Sequence, residues 1–243
     1  MIEIQMILTV IAAFLAAGLT LMTGFGLGTI LLPVFLLFYD VKVAILIVAV
    51  VHLSNNLLRL SLFKENLNLE ILKRFGMLTL VGAFIGAYLQ GSISSAAVKV
   101  ILGIALIFLG LKEVLPFAEQ MRLPKKIDFI GGFLSGLLGG FVGNQGAIRS
   151  AYLLNYNIPK ETFIVTAAVI ASIVDITRIP IYVFYNREIL ANNIMLILIT
   201  TASAFTGTII GKRVVSKFSH KAFKLYVAGA IVVIGALLAL RII

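Results

Sequence analysis

The chain has 243 residues, of which 61% are hydrophobic and 12% charged, and its mean hydropathy is +1.12. Because a soluble domain carries about 25% charged residues, this composition excludes an ordinary soluble enzyme and indicates an integral membrane protein. The net charge of +10 comes from basic residues in short loops between apolar runs, which favours membrane orientation over nucleic-acid binding. The absence of cysteine excludes disulfides, thiolate catalysis and thiolate metal sites.

Ten apolar segments follow one another along the chain and predict an all-α integral membrane protein. A full span needs about 20 apolar residues, so the second, sixth and seventh segments are too short to cross a bilayer. They are interpreted as half-helices or arms of re-entrant hairpins, with tilted ordinary spans as the alternative. The segments lie at 4–21, 26–38, 41–62, 71–89, 96–115, 127–138, 147–154, 162–185, 189–210 and 222–240.

Two of the short segments follow glycine-rich breaks in the chain. The first break is Gly24 to Gly28, and the second is Gly139 to Gly146. Glycine permits the sharp turns that irregular membrane segments need, and a helix that starts at a break points its unsatisfied N–H groups back toward it. Two such helix starts meeting near the membrane midplane predict an anion site.

The two halves of the chain resemble each other. Gly26 and Gly143 are 117 positions apart, as are the motifs at 38–41 and 155–158. Further on, 82–86 matches 203–207, and Gly103 with Gly110 matches Gly229 with Gly235. Each half holds five segments, and because five is odd the second half must enter the membrane from the opposite side. The pattern predicts an inverted-topology repeat: a first repeat at 1–115, a cytoplasmic linker at 116–126 and a second repeat at 127–243.

Basic residues are concentrated in the loops that follow segments three, five, seven and nine. By the positive-inside rule these loops are cytoplasmic, which places both termini on the extracytoplasmic side. The set comprises Arg59, Lys64, Lys73, Arg74, Lys112, Arg122, Lys125, Lys126, Lys160, Lys212, Arg213, Lys217, Lys221 and Lys224.

Arg149 is the first candidate site residue. A charge at the bilayer centre costs roughly 2.5 to 3.5 kcal/mol, so charged residues found there are usually functional or paired. It lies one turn past the second break, where its guanidinium suits a planar or tetrahedral oxyanion. The alternative is a side chain that snorkels to the cytoplasmic headgroups. The residues predicted to line the substrate site with it are Gly26, Gly28, Asn144 and Gln145.

Asp175 and Arg178 lie three positions apart in the eighth segment, on one face of a helix. They are interpreted either as a structural ion pair or as part of the substrate site. Pro180 is expected to break the helix beside them and to free backbone carbonyls.

The third segment carries a polar stripe at helical spacing, formed by His52, Asn55, Asn56 and Arg59. The stripe either faces the substrate path or forms hydrogen bonds between helices. Histidine is the side chain whose unperturbed pKa lies near neutral pH, so His52 is a candidate for proton coupling. The other polar residues of these segments predict hydrogen bonds between helices: Ser54, Ser172 and Thr177.

These features resemble the TauE/SafE family of membrane exporters, which is associated with sulfite and organosulfonates. The resemblance rests on the paired glycine breaks, the inverted halves, the elements at 82–86 and 203–207, and the short length without soluble domains. The first half keeps Gly26, Gly28 and Pro33 of a family pattern in which glycines lead to a proline, whereas 143–150 lacks the proline. The resemblance implies a secondary transporter of a prokaryotic inner membrane that exports sulfite or an organosulfonate such as sulfoacetate by alternating access.

The alternative function is a passive anion channel, which would use the same helix ends and arginines. An enzyme is not predicted, because an intramembrane hydrolase needs a nucleophile, a base and an oxyanion hole in register, and His52 is the one obvious base within the membrane. No cofactor, metal or nucleic acid is predicted. The expected partners are a small anionic substrate and the lipid bilayer, and both homodimerisation and proton linkage are left open.

Overall fold

The computed structural model describes residues 2–23, 26–63, 67–114, 127–153, 156–214 and 220–242, which are nearly all helical. Four helices are long and apolar enough to cross a membrane: Val41–Leu62, Leu69–Ser92, Lys160–Tyr185 and Ile194–Arg213. The predicted all-α membrane class is therefore confirmed, and the chain is a multi-pass membrane protein. The predicted linker at 116–126 lies outside the described residues, as do Gly24, Phe25, Lys64, Arg122, Lys125, Lys126, Leu154, Asn155 and Lys217 and the side chains of Lys112, Lys221 and Lys224.

The helices follow the predicted apolar segments. Their bounds are α1 (Ile2–Thr23), α2 (Leu27–Leu36), α3 (Val41–Leu62), α4 (Leu69–Ile71), α5 (Met77–Ser92), α6 (Ser95–Val114), α7 (Asp128–Val142), α8 (Gly146–Leu153), α9 (Lys160–Tyr185), α10 (Arg187–Asn192), α11 (Ile194–Val214) and α12 (His220–Ala239). A π-helical stretch, Leu72–Gly76, joins α4 to α5, so the fourth segment is one helix with a wider turn near its start. Helix α10 was not predicted as a separate helix, because residues 189–192 were assigned to the start of the ninth segment.

The segments predicted to be short are short helices. Helix α2 has 10 residues, α7 has 15 and α8 has 8. At 1.5 Å per residue, α8 extends about 12 Å, which is less than half the thickness of a hydrocarbon core. These helices therefore leave their backbone ends inside the protein, and their assignment as re-entrant arms stays a prediction.

Pro180 does not break its helix, and that prediction is wrong. Helix α9 continues from Lys160 through Pro180 to Tyr185, and Pro33 likewise lies inside α2. Proline removes one backbone donor, but neighbouring helices in a membrane protein can satisfy the freed carbonyl. The long helix therefore carries its polar residues on one continuous element.

Glycines bring pairs of helices into backbone contact. Helix α5 packs on α7, where a Cβ atom on Gly82 would stand 2.2 Å from the carbonyl oxygen of Phe133. Helix α1 packs on α11, where a Cβ atom on Gly207 would stand 2.1 Å from the carbonyl oxygen of Phe14. Such close approach is how membrane helices gain packing energy without a hydrophobic driving force.

The helix contacts repeat when α1, α2, α3, α5 and α6 are matched with α7, α8, α9, α11 and α12. The packing of α5 on α7 then corresponds to that of α11 on α1, and the packing of α5 on α9 to that of α11 on α3. The remaining large contacts, α3 with α9 and α6 with α12, join matched helices to each other. Exchanging the two halves therefore reproduces the same pairs of packed helices. The inverted repeat itself stays a prediction.

Replacing Gly136 by alanine should lower the thermal stability strongly, because the new Cβ atom would stand 2.0 Å from the carbonyl oxygen of Thr79 on the neighbouring helix. Overpacking of this kind costs about 1 to 3 kcal/mol. Gly229→Ala is the matched control, because nothing lies within 4 Å of its Cβ position. Thermal unfolding followed by circular dichroism in detergent checks the pair, and equal losses in both variants would contradict the packing described.

Candidate functional site

The two glycine breaks lie against each other. A Cβ atom on Gly146 would stand 2.6 Å from the amide nitrogen of Gly26, and one on Gly28 would stand 3.1 Å from the carbonyl oxygen of Gly143. Gly143 ends α7 with a φ of 77°, a left-handed conformation that favours glycine. Helices α2 and α8 therefore both begin at this contact, with their free N–H groups directed toward it.

Two amide side chains of the second break are buried beside this contact. Asn144 accepts a hydrogen bond of 2.7 Å from Thr29 Oγ1 through its Oδ1, which joins the second break to α2. Asn144 Nδ2 and Gln145 Oε1 are buried and have no hydrogen-bond partner in the described ranges of the chain. A buried polar group without a partner costs about 1 to 3 kcal/mol, so this pattern is typical of a site that a ligand or water completes.

Arg149, on the first turns of α8, is buried with only 6% of its surface exposed. Its Nε and Nη1 have no hydrogen-bond partner among the described residues. A side chain that snorkelled to the headgroups would be exposed, so the burial argues against that alternative. Two nitrogens of a buried guanidinium are therefore available to a ligand, within a cluster of polar groups.

Asp175 on α9 is the centre of that cluster and is fully buried. Its Oδ1 accepts hydrogen bonds from Arg178 Nε at 2.9 Å and Arg178 Nη2 at 2.7 Å, so the predicted ion pair is present. His52 Nδ1 lies 2.6 Å from Asp175 Oδ2. Arg178 Nη1 also donates to the carbonyl oxygen of Gly139 at 3.1 Å. Asp175 and Arg178 thus join α3, α9 and the second glycine break.

The polar stripe on α3 is buried along its whole length. Asn56 Nδ2 lies 3.3 Å from His52 Nδ1, one turn along the same helix. Asn55 Oδ1 accepts a hydrogen bond of 2.7 Å from Thr208 on α11, whereas Asn55 Nδ2 is buried without a partner in the described part of the chain. The stripe therefore bonds to neighbouring helices, and the amide nitrogen of Asn55 remains as a donor without a partner among the described residues.

Arg59 was counted with the cytoplasmic loop charges, but the structure places it inside α3, and the correction matters for the site. It is 9% exposed and donates through Nη2 to Thr20 Oγ1 and, at 3.4 Å, to the carbonyl oxygen of Ala17 on α1. Its Nε has no partner among the residues described. Its place on the polar stripe, one turn after Asn56, was predicted from the sequence.

The three hydroxyl residues predicted to join helices do not do so. Ser54 Oγ donates to Val50 O at 2.9 Å and Thr177 Oγ1 to Ile173 O at 2.7 Å, both within their own helices. Ser172 Oγ is buried and has no partner in the described part of the chain. The prediction was wrong because a hydroxyl on a helix readily bonds the carbonyl one turn before it.

A second buried carboxylate, not predicted as a site residue, lies at the start of α7. Asp128 Oδ2 accepts hydrogen bonds from Tyr156 Oη and, at 3.3 Å, from Arg74 Nε. Burial is the main cause that raises the pKa of Tyr156, and the hydrogen bond to Asp128 raises it further. The phenol therefore stays protonated and can donate. This cluster ties α7 to the π-helical stretch before α5. Within the residues described, no His, Asp or Glu cluster could hold a metal ion.

The comparisons with known proteins give one family match. A family model described as Sulfite exporter TauE/SafE matches residues 9–238. The match begins in α1 and ends in α12, so it contains both glycine breaks and the whole buried polar cluster. No curated protein matches the chain.

Proposed function

Because the chain belongs to the TauE/SafE sulfite exporter family, a family of membrane transporters, we propose that it exports sulfite or an organosulfonate such as sulfoacetate by alternating access. The proposal places the substrate at the contact of the two glycine breaks, among Gly26, Gly28, Asn144, Gln145 and Arg149. His52, Asn55, Asn56, Asp175 and Arg178 complete the site on its α3 and α9 side.

The observation that carries the proposal is the set of free donors around Arg149. Its Nε and Nη1 and the Nδ2 of Asn144 are buried without partners, next to the start of α8. A guanidinium binds the oxygens of a sulfite or sulfonate group with strong, charge-assisted hydrogen bonds. Backbone N–H groups at a helix start add to that attraction. A small oxyanion is therefore the ligand that best supplies the acceptors which these donors lack.

Alternating access is supported by the way in which the two halves pack. Each half contributes one glycine break and one short helix to the contact. Each large contact between helices has a counterpart when the two halves are exchanged. In transporters with inverted repeats, one repeat rocks against the other around a site of this kind. We infer repeats at 1–115 and 127–243, and the basic loops favour extracytoplasmic termini in a prokaryotic inner membrane.

Proton linkage is supported by the contact between His52 and Asp175. Export of an anion from a cell that is negative inside is downhill by about 2.3 kcal/mol per charge per 100 mV, so the transport itself needs no ion gradient. His52 lies 2.6 Å from the carboxylate that holds Arg178. A proton gained or lost at His52 would change the charge beside the substrate, and in this way pH would regulate the flux.

Flux measurements in proteoliposomes test the proposal. With radiolabelled sulfoacetate we expect a saturable flux that responds to an imposed pH gradient, and we expect His52→Gln to weaken that response. His220→Gln, which changes the chain's other histidine, is the control and should behave like the unmodified protein. A flux that never saturates and follows only the membrane potential would instead identify a passive anion channel.

A further inference from the structure

We propose that the site selects an oxyanion with two negative charges, and that Arg59 supplies one of the two guanidinium groups that select it. This inference rests on the proposed function, because it concerns the charge of the substrate at that same site. It adds Arg59 to the predicted site residues. It also separates sulfur oxyanions with two negative charges from those with one, which the family relationship does not distinguish.

The charges of the cluster do not balance. Asp175 is engaged by both Nε and Nη2 of Arg178, so these two residues neutralise each other. The only other carboxylate buried in the described part of the chain, Asp128, is engaged by Arg74 and Tyr156. Arg59 and Arg149 are therefore left without a carboxylate among the described residues, and the cluster carries two positive charges in excess.

Both uncompensated guanidinium groups belong to the surroundings of the glycine contact. Arg59 Nη2 donates to Thr20, four residues before the first break, and Arg149 lies three residues past the second break, which is in contact with the first. Arg59 comes from α3 and Arg149 from α8, so each half of the chain contributes one. Both are buried, where charges interact more strongly than in water. An anion between them gains attraction from both groups. A dianion gains about twice as much Coulomb energy as a monoanion of the same shape.

The neutral groups around the arginines also favour an acceptor-rich ligand. Within the part of the chain that the structure describes, four buried residues of the cluster have side-chain nitrogens without a partner: Asn55, Arg59, Asn144 and Arg149. On the same basis, Gln145 Oε1 is the one buried oxygen without a partner in the second glycine break. Donors thus outnumber acceptors, as suits an anion whose oxygens are all unprotonated. The geometry is less suited to an anion that carries a proton of its own.

Thiosulfate and methanesulfonate form a matched pair of probes. Each presents three sulfonyl oxygens and one substituent of similar size, sulfur or methyl, but thiosulfate carries two negative charges and methanesulfonate one. We expect the purified full chain in detergent to bind thiosulfate at least about tenfold more tightly, a difference of 1.4 kcal/mol. Isothermal titration calorimetry at one ionic strength measures both affinities.

Arg59→Gln should remove most of that preference, weakening thiosulfate by about tenfold and methanesulfonate by much less. Arg187→Gln is the control, because Arg187 is an exposed arginine at the start of α10, and it should keep the preference. Because Arg59 also ties α3 to α1, Arg59→Lys is the second variant. It keeps the charge and should keep the preference for thiosulfate.

Equal affinities for the two probes in the unmodified protein, or a preference for methanesulfonate, would overturn this inference and leave the proposed function standing. A preference that persists unchanged in Arg59→Gln would overturn the role of Arg59. Failure of both probes, and of sulfite, to bind would overturn this inference together with the proposed function.

Discussion

Replacing Asp175 by alanine should destabilise the protein by about 3 to 5 kcal/mol, the cost of breaking a buried ion pair by removing one partner. Arg178 is 1% exposed and, among the described residues, would keep only the carbonyl oxygen of Gly139 as an acceptor. His52 would lose its partner at the same time. The thermal unfolding midpoint and the yield of monodisperse protein measure the effect.

A double variant separates the loss of the ion pair from the loss of the side chain. Asp175→Ala with Arg178→Met removes both charges, and we expect it to be more stable than Asp175→Ala alone. Asp40→Ala is the comparison at an exposed position, where the carboxylate caps α3 and accepts a 3.3 Å hydrogen bond from Ser95, and its removal costs about 1 kcal/mol. If the double variant were less stable than Asp175→Ala, the stabilising role assigned to the pair would be wrong.

The class of the fold and the polar candidates could be predicted because charged residues inside apolar runs are conspicuous. Arg149, Asp175 and Arg178 were identified in this way, and the ion pair followed from their helical spacing. The contact between His52 and Asp175 could not be predicted. It joins residues 123 positions apart and depends on the packing of α3 against α9, which no local spacing specifies.

The position of charges near the ends of apolar segments was the hardest feature to predict. Arg59 and Asp128 both lie there, where hydropathy cannot distinguish a loop charge from a buried one. Arg59 was assigned both to the polar stripe and to the loop charges, and the stripe gave its correct location, whereas Asp128 was missed. For Asp128, the signal exists only in three dimensions, because its partners come from two other parts of the chain.

The matching of the two halves also differs between sequence and packing. The sequence motifs pair Gly86 with Gly207, whereas the helix contacts favour pairing Gly82 with Gly207, since these lie against Phe133 and Phe14 respectively. The two alignments differ by four residues, about one helical turn. Small residues recur at that spacing along one face, so a short motif fits equally well at either register.

Replacing Arg149 by lysine or alanine should weaken anion binding while leaving the protein folded. Lysine keeps the charge but loses the planar fork that binds two oxygens at once. The loss of charge-assisted hydrogen bonds is worth about 1.5 to 3 kcal/mol, or roughly 10- to 100-fold in affinity. We expect the lower value for Arg149→Lys and the higher for Arg149→Ala, measured by calorimetry with sulfite and with sulfoacetate. Arg187→Lys is the control.

The stability of the ligand-free protein distinguishes a binding role for Arg149 from a structural role. Arg149 is buried with two nitrogens unpartnered, so in the absence of ligand it costs free energy instead of contributing it. Arg149→Ala should therefore keep or raise the thermal midpoint without ligand, and should lose the stabilisation that sulfite gives the unmodified protein. A structural arginine would behave in the opposite way, with a lower midpoint in Arg149→Ala and an unchanged shift on adding sulfite. That result would reject Arg149 as the residue that binds the anion at the glycine contact.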